Sequence, residues 1–396
     1  MPDDALLEHE KKMSGRSYDG RELEYLGQVL GAGRLSSLNG GTFVPRFEEA
    51  FARLLDVRHA VAMNSCMSAL HAAVLCAGAG PGTEVLCDAE FVFGSMAVLY
   101  NNAIPVFVDI DPVTHNMNPA AMEAAVTART KAVIVTHAWG LPAEMDEIAA
   151  VARRHGLLVI EDCAESLLAD FKGRMTGGWG DIGCFSFQAS KQLSTGDGGM
   201  ATTNDGGLRD RLAAQAGAPT FQSVAYDLDY NYRMNEPTAA VGLAQLEIMP
   251  AFIEKLRGNA RHYDRAVEGC SWIRLQRGPE GARHSFYHWA ATFAGDERGL
   301  SLEEFKRAAG DAGFRSVSVG YTGIPAYRHP VIRERRAHAF ACPENAGHSA
   351  NYEDGACPAA ERVIPRLILG YVVEPEETAK READKLHRLI RRLQGA

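Results

Sequence analysis

Three short stretches of the 396-residue chain carry residue types that do chemistry. In the first, Ile160-Glu161-Asp162-Cys163-Ala164-Glu165, an apolar run ends on carboxylates. Ligands of open α/β sheets sit at the carboxyl ends of strands. A carboxylate there can keep a ring nitrogen protonated, the form in which a heterocycle accepts the electrons of a carbanion. Asp162 would serve equally as a helix N-cap. The second stretch, Gly183-Cys184-Phe185-Ser186-Phe187-Gln188-Ala189-Ser190-Lys191-Gln192-Leu193-Ser194-Thr195-Gly196-Asp197-Gly198-Gly199, leads from an apolar run to a lysine and a glycine-rich turn. A lysine amine condenses with an aldehyde once its surroundings have removed its proton. Glycines allow close backbone approach to a ligand. A lysine beside glycines also suits a solvated loop, and Ser186 and Ser190 suit either a phosphate or a turn cap. The third stretch, Asn64-Ser65-Cys66-Met67-Ser68-Ala69-Leu70, places small polar residues where a strand gives way to a helix. Free amides at a helix N-terminus bind phosphate, and simple N-capping uses the same residue types.

Positioning these stretches requires a regular frame. Strand patterns at His59–Met63, Glu84–Cys87, Pro105–Val108, Ala132–Thr136 and Leu157–Glu161 alternate with helical patterns at Ser68–Cys76, Gly94–Asn101, Ala120–Ala125 and Met145–His155. This alternation predicts parallel strands with right-handed crossovers, in an α/β sheet covered on both faces. An opening helix is expected within Ser17–Leu35 and another, one-sided, over Pro45–Leu55. After Asp162 the rhythm changes: short strands at Asp181–Phe187 and Gly199–Thr203 flank the glycine-rich loop. A long helix is predicted over Glu236–Met249, then a strand at Tyr287–Phe293 and helices at Leu302–Ala312 and Glu376–Leu393. A boundary near residue 250 divides the chain into domains of residues 1–250 and 251–396.

The bulk composition narrows the function classes. A formal net charge of −9 opposes nucleic acid or an anionic membrane as main partner. No apolar run approaches the ~18 residues of a membrane span, and the charged opening segment lacks a secretion signal. The eight cysteines are scattered without a CxxC pair, which predicts reduced thiols, a cytoplasmic location and no metal site.

Together and in this order, the three stretches resemble the DegT/DnrJ/EryC1/StrS aminotransferase family, which builds amino sugars and aminocyclitols. The resemblance runs from Phe47-Glu48 through Asn231-Tyr232-Arg233-Met234-Asn235-Glu236 and Gln245-Leu246, and more weakly to Cys357-Pro358-Ala359-Ala360-Glu361. Its most specific part spans Phe185 to Gly199. It implies the type I pyridoxal 5'-phosphate (PLP) aminotransferase fold: a large domain with a mostly parallel central sheet and a smaller α/β C-terminal domain. It implies that Lys191 holds PLP and moves the substrate proton, and that Asp162 pairs with the pyridine nitrogen. Phe91 would stack on the ring. The amides of Cys66 and Met67, with the Ser186 hydroxyl, would receive the phosphate. Asn231 would reach the phosphate of a neighbouring subunit, making a homodimer with shared active sites.

Three departures from the family pattern involve four residues. Cys66-Met67 replaces Gly-Thr, which keeps the backbone contact and loses a hydroxyl. Asp197 replaces a glutamate. Glu165 stands near the cofactor's phenolic oxygen where glutamine or histidine is usual. Two negative groups would repel there, so Glu165 is expected either to hold a proton and donate a hydrogen bond or to turn away. The retained Lys191 favours transamination over the dehydrating branch of the family. The stretch Tyr321 to Pro330 leans toward the branch handling cyclitols and antibiotic precursors. The resemblance thus implies transfer from glutamine or glutamate to a keto-sugar or keto-cyclitol. A PLP-dependent lyase, dehydratase or aminohydroxybenzoate-type synthase on the same fold is the alternative.

Overall fold

Apolar runs of five to seven residues pair into one large sheet in this computed structural model, which describes residues 16, 18, 20–38, 40–217 and 230–394. In chain order its strands are β1 His59–Met63, β2 Glu84–Asp88, β3 Ile104–Val108, β4 Thr130–Thr136, β5 Leu158–Asp162, β8 Ile182–Ser186 and β9 Gly199–Thr203. The spatial order is β1-β9-β8-β5-β4-β2-β3. Strands β3, β2, β4, β5 and β8 run parallel, and β9 is antiparallel to both its neighbours. The sheet is therefore the mostly parallel one expected, with its single reversal where the strand–helix rhythm breaks. Short strands β6 Asp170–Phe171 and β7 Arg174–Met175 pair with each other, and β6 also takes β11 Ala282–Arg283.

A second sheet, wholly antiparallel, lies in the C-terminal part: β10 Ile273–Leu275, β12 His288–Phe293, β14 Leu367–Tyr371 and β13 Val317–Val319, in that spatial order. Helix Glu376–Gln394 packs with helix Glu236–Ala266 in the hydrophobic cluster that covers it. The stretch from Ala326 to Ile364 does not stay with this sheet. Tyr327, Ile332, Tyr352 and Val363 join the cluster of the large sheet, and the Tyr352 hydroxyl donates to the carbonyl of Pro105 at 2.9 Å. The chain after residue 250 thus contributes to both hydrophobic clusters.

The helix expected over Glu236–Met249 in fact runs to Ala266, straight through Pro250 and through the boundary expected near residue 250. Proline costs a helix interior about 3 kcal/mol or more. Pro250 sits on the exposed face, and Leu246, Met249, Ile253, Leu256, Ala260 and Tyr263 keep one buried stripe on both sides of it. Each fully buried large apolar side chain contributes about 1.5–3 kcal/mol. Three of them beyond the proline therefore outweigh the lost hydrogen bond.

Candidate functional site

The carboxyl ends of β1, β2, β4, β5 and β8 converge on a cavity of about 480 Å³. At the end of β1, Ser65 N-caps helix Cys66–Cys76, its hydroxyl accepting the Ser68 N–H at 3.1 Å. The cap leaves the N–H groups of Cys66 and Met67 without backbone or side-chain acceptors among the described residues. The first amides of a helix have no intrahelical partner and carry the positive end of its dipole. Strand β9 begins against this turn. A Cβ on Gly199 would meet the Ser65 carbonyl carbon at 2.3 Å and the Cys66 nitrogen at 2.5 Å, so only glycine fits. The Ser186 hydroxyl, at the end of β8, lines the same wall.

Strand alternation sorts the two carboxylates that end β5. Glu161 accepts the N–H groups of Gly177 and Trp179 at 2.8 Å each and Gly180 at 2.6 Å, and His137 Nε2–H at 3.0 Å. His137, Glu161 and Cys163 form a buried cluster of metal-ligand types. Its carboxylate is already fully engaged, anchoring the loop before β8. Asp162 faces the cavity. Its Oδ1 accepts the Ala164 N–H at 3.0 Å and lies 4.0 Å from the Cys66 thiol. Neither contact uses Oδ2. Burial raises the Asp162 carboxyl, and the charge on Lys191 only partly offsets this. A cationic N–H in the cavity would complete the compensation. Burial, with the charge on Asp162, likewise pushes the Cys66 thiol well up, so it stays protonated beside the carboxylate.

The loop after β8 is built around Gln188, whose side-chain oxygen accepts both the N–H (2.8 Å) and the hydroxyl (2.7 Å) of Ser190. Ser190 is thereby a turn cap rather than a free hydroxyl. The loop carries Lys191 inward. Its Nζ lies 3.5 Å from Glu165 Oε1 and 4.2 Å from the centroid of the Tyr287 ring. Burial works against the Lys191 charge, but Glu165, Tyr287 and Asp162 outweigh it and hold the amine above the ordinary lysine value. On the outside, the Arg16 guanidinium donates to the carbonyls of Ala189 and Lys191.

Glu165 does not turn away. Its other oxygen accepts the Trp139 N–H at 3.1 Å, and burial raises its carboxyl despite the nearby Lys191 charge. If Lys191 gives up its charge on condensing with an aldehyde, Glu165 loses that compensation and takes a proton. The expected consequence is a pH transition in the visible band of the cofactor-loaded protein. Glu165 is protonated below its raised pKa and ionised above it, so the band should shift as pH rises through that value. Glu165→Gln should lack the transition, and superimposable titration curves would refute the assignment.

Seven of the eight residues singled out in the sequence (Cys66, Met67, Phe91, Asp162, Glu165, Ser186 and Lys191) line this one cavity. Asn231 does not: it is exposed, and its carbonyl accepts the Asn64 amide N–H at 3.1 Å. The structure adds Trp139 and Tyr287, which have no sequence signal of their own, and Tyr321. Trp139 adopts a left-handed backbone (φ 61°), which aims its N–H at Glu165 while its carbonyl accepts the Tyr287 N–H at 2.9 Å. Tyr287 supplies the ring against Lys191 and a hydroxyl 3.0 Å from Ser190 Oγ. Tyr321, which opens the stretch that leans toward the cyclitol branch, stands near Phe91 and Trp139 with ring centroids 6.1 and 4.8 Å away.

Comparison with known proteins adds the following. Residues 17–352 match the sequence profile of the DegT/DnrJ/EryC1/StrS aminotransferase family. The chain is 42% identical over 233 residues to GDP-perosamine synthase of Caulobacter vibrioides, which covers 58% of this chain and 62% of that one, less than two thirds of the relative. It is 34% identical over 338 residues to L-glutamine:2-deoxy-scyllo-inosose aminotransferase of Micromonospora echinospora, 79% of this chain and 80% of that one. The crystal structure of 3-amino-5-hydroxybenzoic acid synthase superposes with a TM-score of 0.81 at 26% identity, over 95% of this chain and 97% of that one.

Proposed function

We propose, from the premise that this chain belongs to the DegT/DnrJ/EryC1/StrS aminotransferase family, that it transfers an amino group from glutamine or glutamate to a keto or aldehyde carbon of a sugar or cyclitol, using Lys191. Membership makes it a PLP-dependent transaminase with a small-molecule amino donor and a sugar acceptor. The observation that carries the residue assignment is the shared cavity, with an inward lysine, a buried carboxylate and free helix amides on its walls.

Those residues fit the cofactor by charge and by shape. Asp162, buried and under-compensated, suits a pyridinium N–H. The amides of Cys66 and Met67 and the Ser186 hydroxyl suit a phosphate, with Gly199 giving that turn its room. Phe91, 6% exposed on the cavity wall, offers a ring face. When bound, PLP supplies an electrophilic carbonyl and an electron-withdrawing ring that makes the donor's α-proton acidic. Lys191 Nζ, freed when the donor amine takes its place, accepts that proton. In the second half-reaction it delivers a proton to the former carbonyl carbon of the acceptor. Tyr287 holds the lysine by its ring, and Asp162 keeps the ring nitrogen charged.

Asn231 is exposed and does not line its own cavity, which leaves it free to reach the cavity of a second copy in a homodimer; light scattering should give twice the chain mass. Among the described residues no helix is long and apolar enough to cross a membrane. The eight unpaired cysteines support a cytoplasmic, reducing environment.

The test is spectroscopic. PLP-loaded enzyme should lose its visible band on addition of glutamine or glutamate and regain it with a keto-cyclitol or a nucleotide-linked ketosugar. A band that no donor bleaches would overturn the transfer reading in favour of a lyase or synthase.

A further inference from the structure

Glu90 is a buried carboxyl group that is poorly satisfied. It is 2% exposed, and among the described residues neither of its oxygens has a hydrogen bond. The indole N–H of the neighbouring Trp139 is the donor that acts on this carboxyl, without forming a hydrogen bond of good geometry. Its backbone is fixed: Asp88 Oδ1 accepts the N–H groups of Glu90 (3.0 Å) and Phe91 (2.8 Å), and Asp88 Oδ2 accepts the Thr136 hydroxyl. Burying a poorly satisfied polar group is costly, and native proteins rarely leave one without a use. An apolar side chain would fill this position at no such cost.

What lies beside it is a second cavity, of about 470 Å³. Phe91, Phe93 and Tyr321 wall both this cavity and that of Lys191. Pro325 and His329 also line the second cavity, and among the described residues neither lysine nor arginine does. Phe93 and Tyr321 are 58% and 41% exposed, offering ring faces to an incoming ligand. Burial, reinforced by the charges of Asp88 and Glu165, drives the Glu90 carboxyl well above the ordinary glutamate range. A neutral carboxyl both donates and accepts a hydrogen bond, as does a hydroxyl group.

We propose that this second cavity receives the hydroxylated ring of the acceptor and that Glu90, hydrogen-bonding a ring hydroxyl there, determines acceptor specificity. The inference rests on the aminotransferase reading and names the chemistry of its acceptor. Apolar faces and an uncharged acid match the C–H faces and hydroxyls of a polyol ring. A phosphate would find the Glu90 acid and, among the described residues, no lysine or arginine.

The experiment bypasses the donor. Enzyme loaded directly with pyridoxamine 5'-phosphate is mixed with scyllo-inosose, and recovery of the visible band is followed against concentration. The wild type should respond saturably. Glu90→Leu should raise the half-saturating concentration by about tenfold or more, the weight of one hydrogen bond to substrate. Glu90→Gln, which keeps a donor and an acceptor, should stay within about threefold by the same measure. Glu90→Leu should also melt at a higher temperature than the wild type, because a poorly satisfied buried acid has been removed. An unchanged half-saturation in Glu90→Leu, or no response of loaded wild type to scyllo-inosose, overturns the proposal. A lower melting temperature with normal half-saturation assigns Glu90 a structural role instead. Failure of pyridoxamine phosphate to bind at all would sink the aminotransferase reading beneath it, and is seen before any acceptor is added.

Discussion

Lys191→Ala should yield a folded protein that still takes up PLP and transfers no amino groups, with kcat/KM lower by at least about 10⁴-fold. Among the described residues no other lysine lines the cavity, so none of them offers a second amine. The variant loses both the covalent hold on the cofactor and the base that moves the α-proton. Folding should survive. The partner left behind is Glu165, whose carboxyl burial already raises, and it can take a proton rather than remain as an unpaired charge. Lys191→Arg separates charge from chemistry: it keeps a cation near Glu165 and Tyr287 but cannot condense with an aldehyde at neutral pH. Both variants should lack the donor-induced bleaching of the visible band. Activity of either within tenfold of the wild type would remove Lys191 from the mechanism.

Asp162→Asn should move stability and activity in opposite directions. Burial holds the folded Asp162 carboxyl above its unfolded value. The ionised form is therefore penalised in the folded cofactor-free protein, and that penalty grows as pH rises through the raised pKa and persists above it. Asparagine keeps the shape and removes the charge, so the cofactor-free variant should melt at a higher temperature than the wild type at pH 8, and the gain should shrink at pH 4. With cofactor the sign reverses, because an amide cannot hold a pyridinium proton in place. The kcat for transfer should fall by about 10²–10³-fold, the usual loss on deleting one preorganised electrostatic group. PLP should also dissociate more readily on dilution. Paired melting curves with and without PLP, plus a single-turnover rate, provide the check. Equal rates for the two proteins would exclude Asp162 as the partner of the ring nitrogen.

Much of this site was legible before any coordinates. Lys191 alone suits a solvated loop equally well; it stood out through the order of the three stretches and the family resemblance they carry. Asp162, Cys66 and Met67 stood out because an alternating strand–helix pattern brings strand ends and helix starts to one edge of a sheet. Helix Glu236–Ala266 was truncated in the sequence reading because Pro250 is a local stop signal, whereas the buried stripe beyond it is a tertiary fact.

The roles proposed for the loop from Ser186 to Gly199 came from the family resemblance; the residue pattern alone determined the α/β class and the strands that end at the cavity, since these follow from local periodicity. It could not say which of Glu161 and Asp162 faces the ligand, because that depends on which sheet face the cavity occupies. It could not find Tyr287, whose hydroxyl meets Ser190 across 97 residues of chain. Nor could it find the inverted backbone of Trp139 or the poorly satisfied acid of Glu90, because strain and missing partners exist only once distant segments are packed together. Local order is encoded by neighbours in sequence; the electrostatics of the cavity are set by neighbours in space.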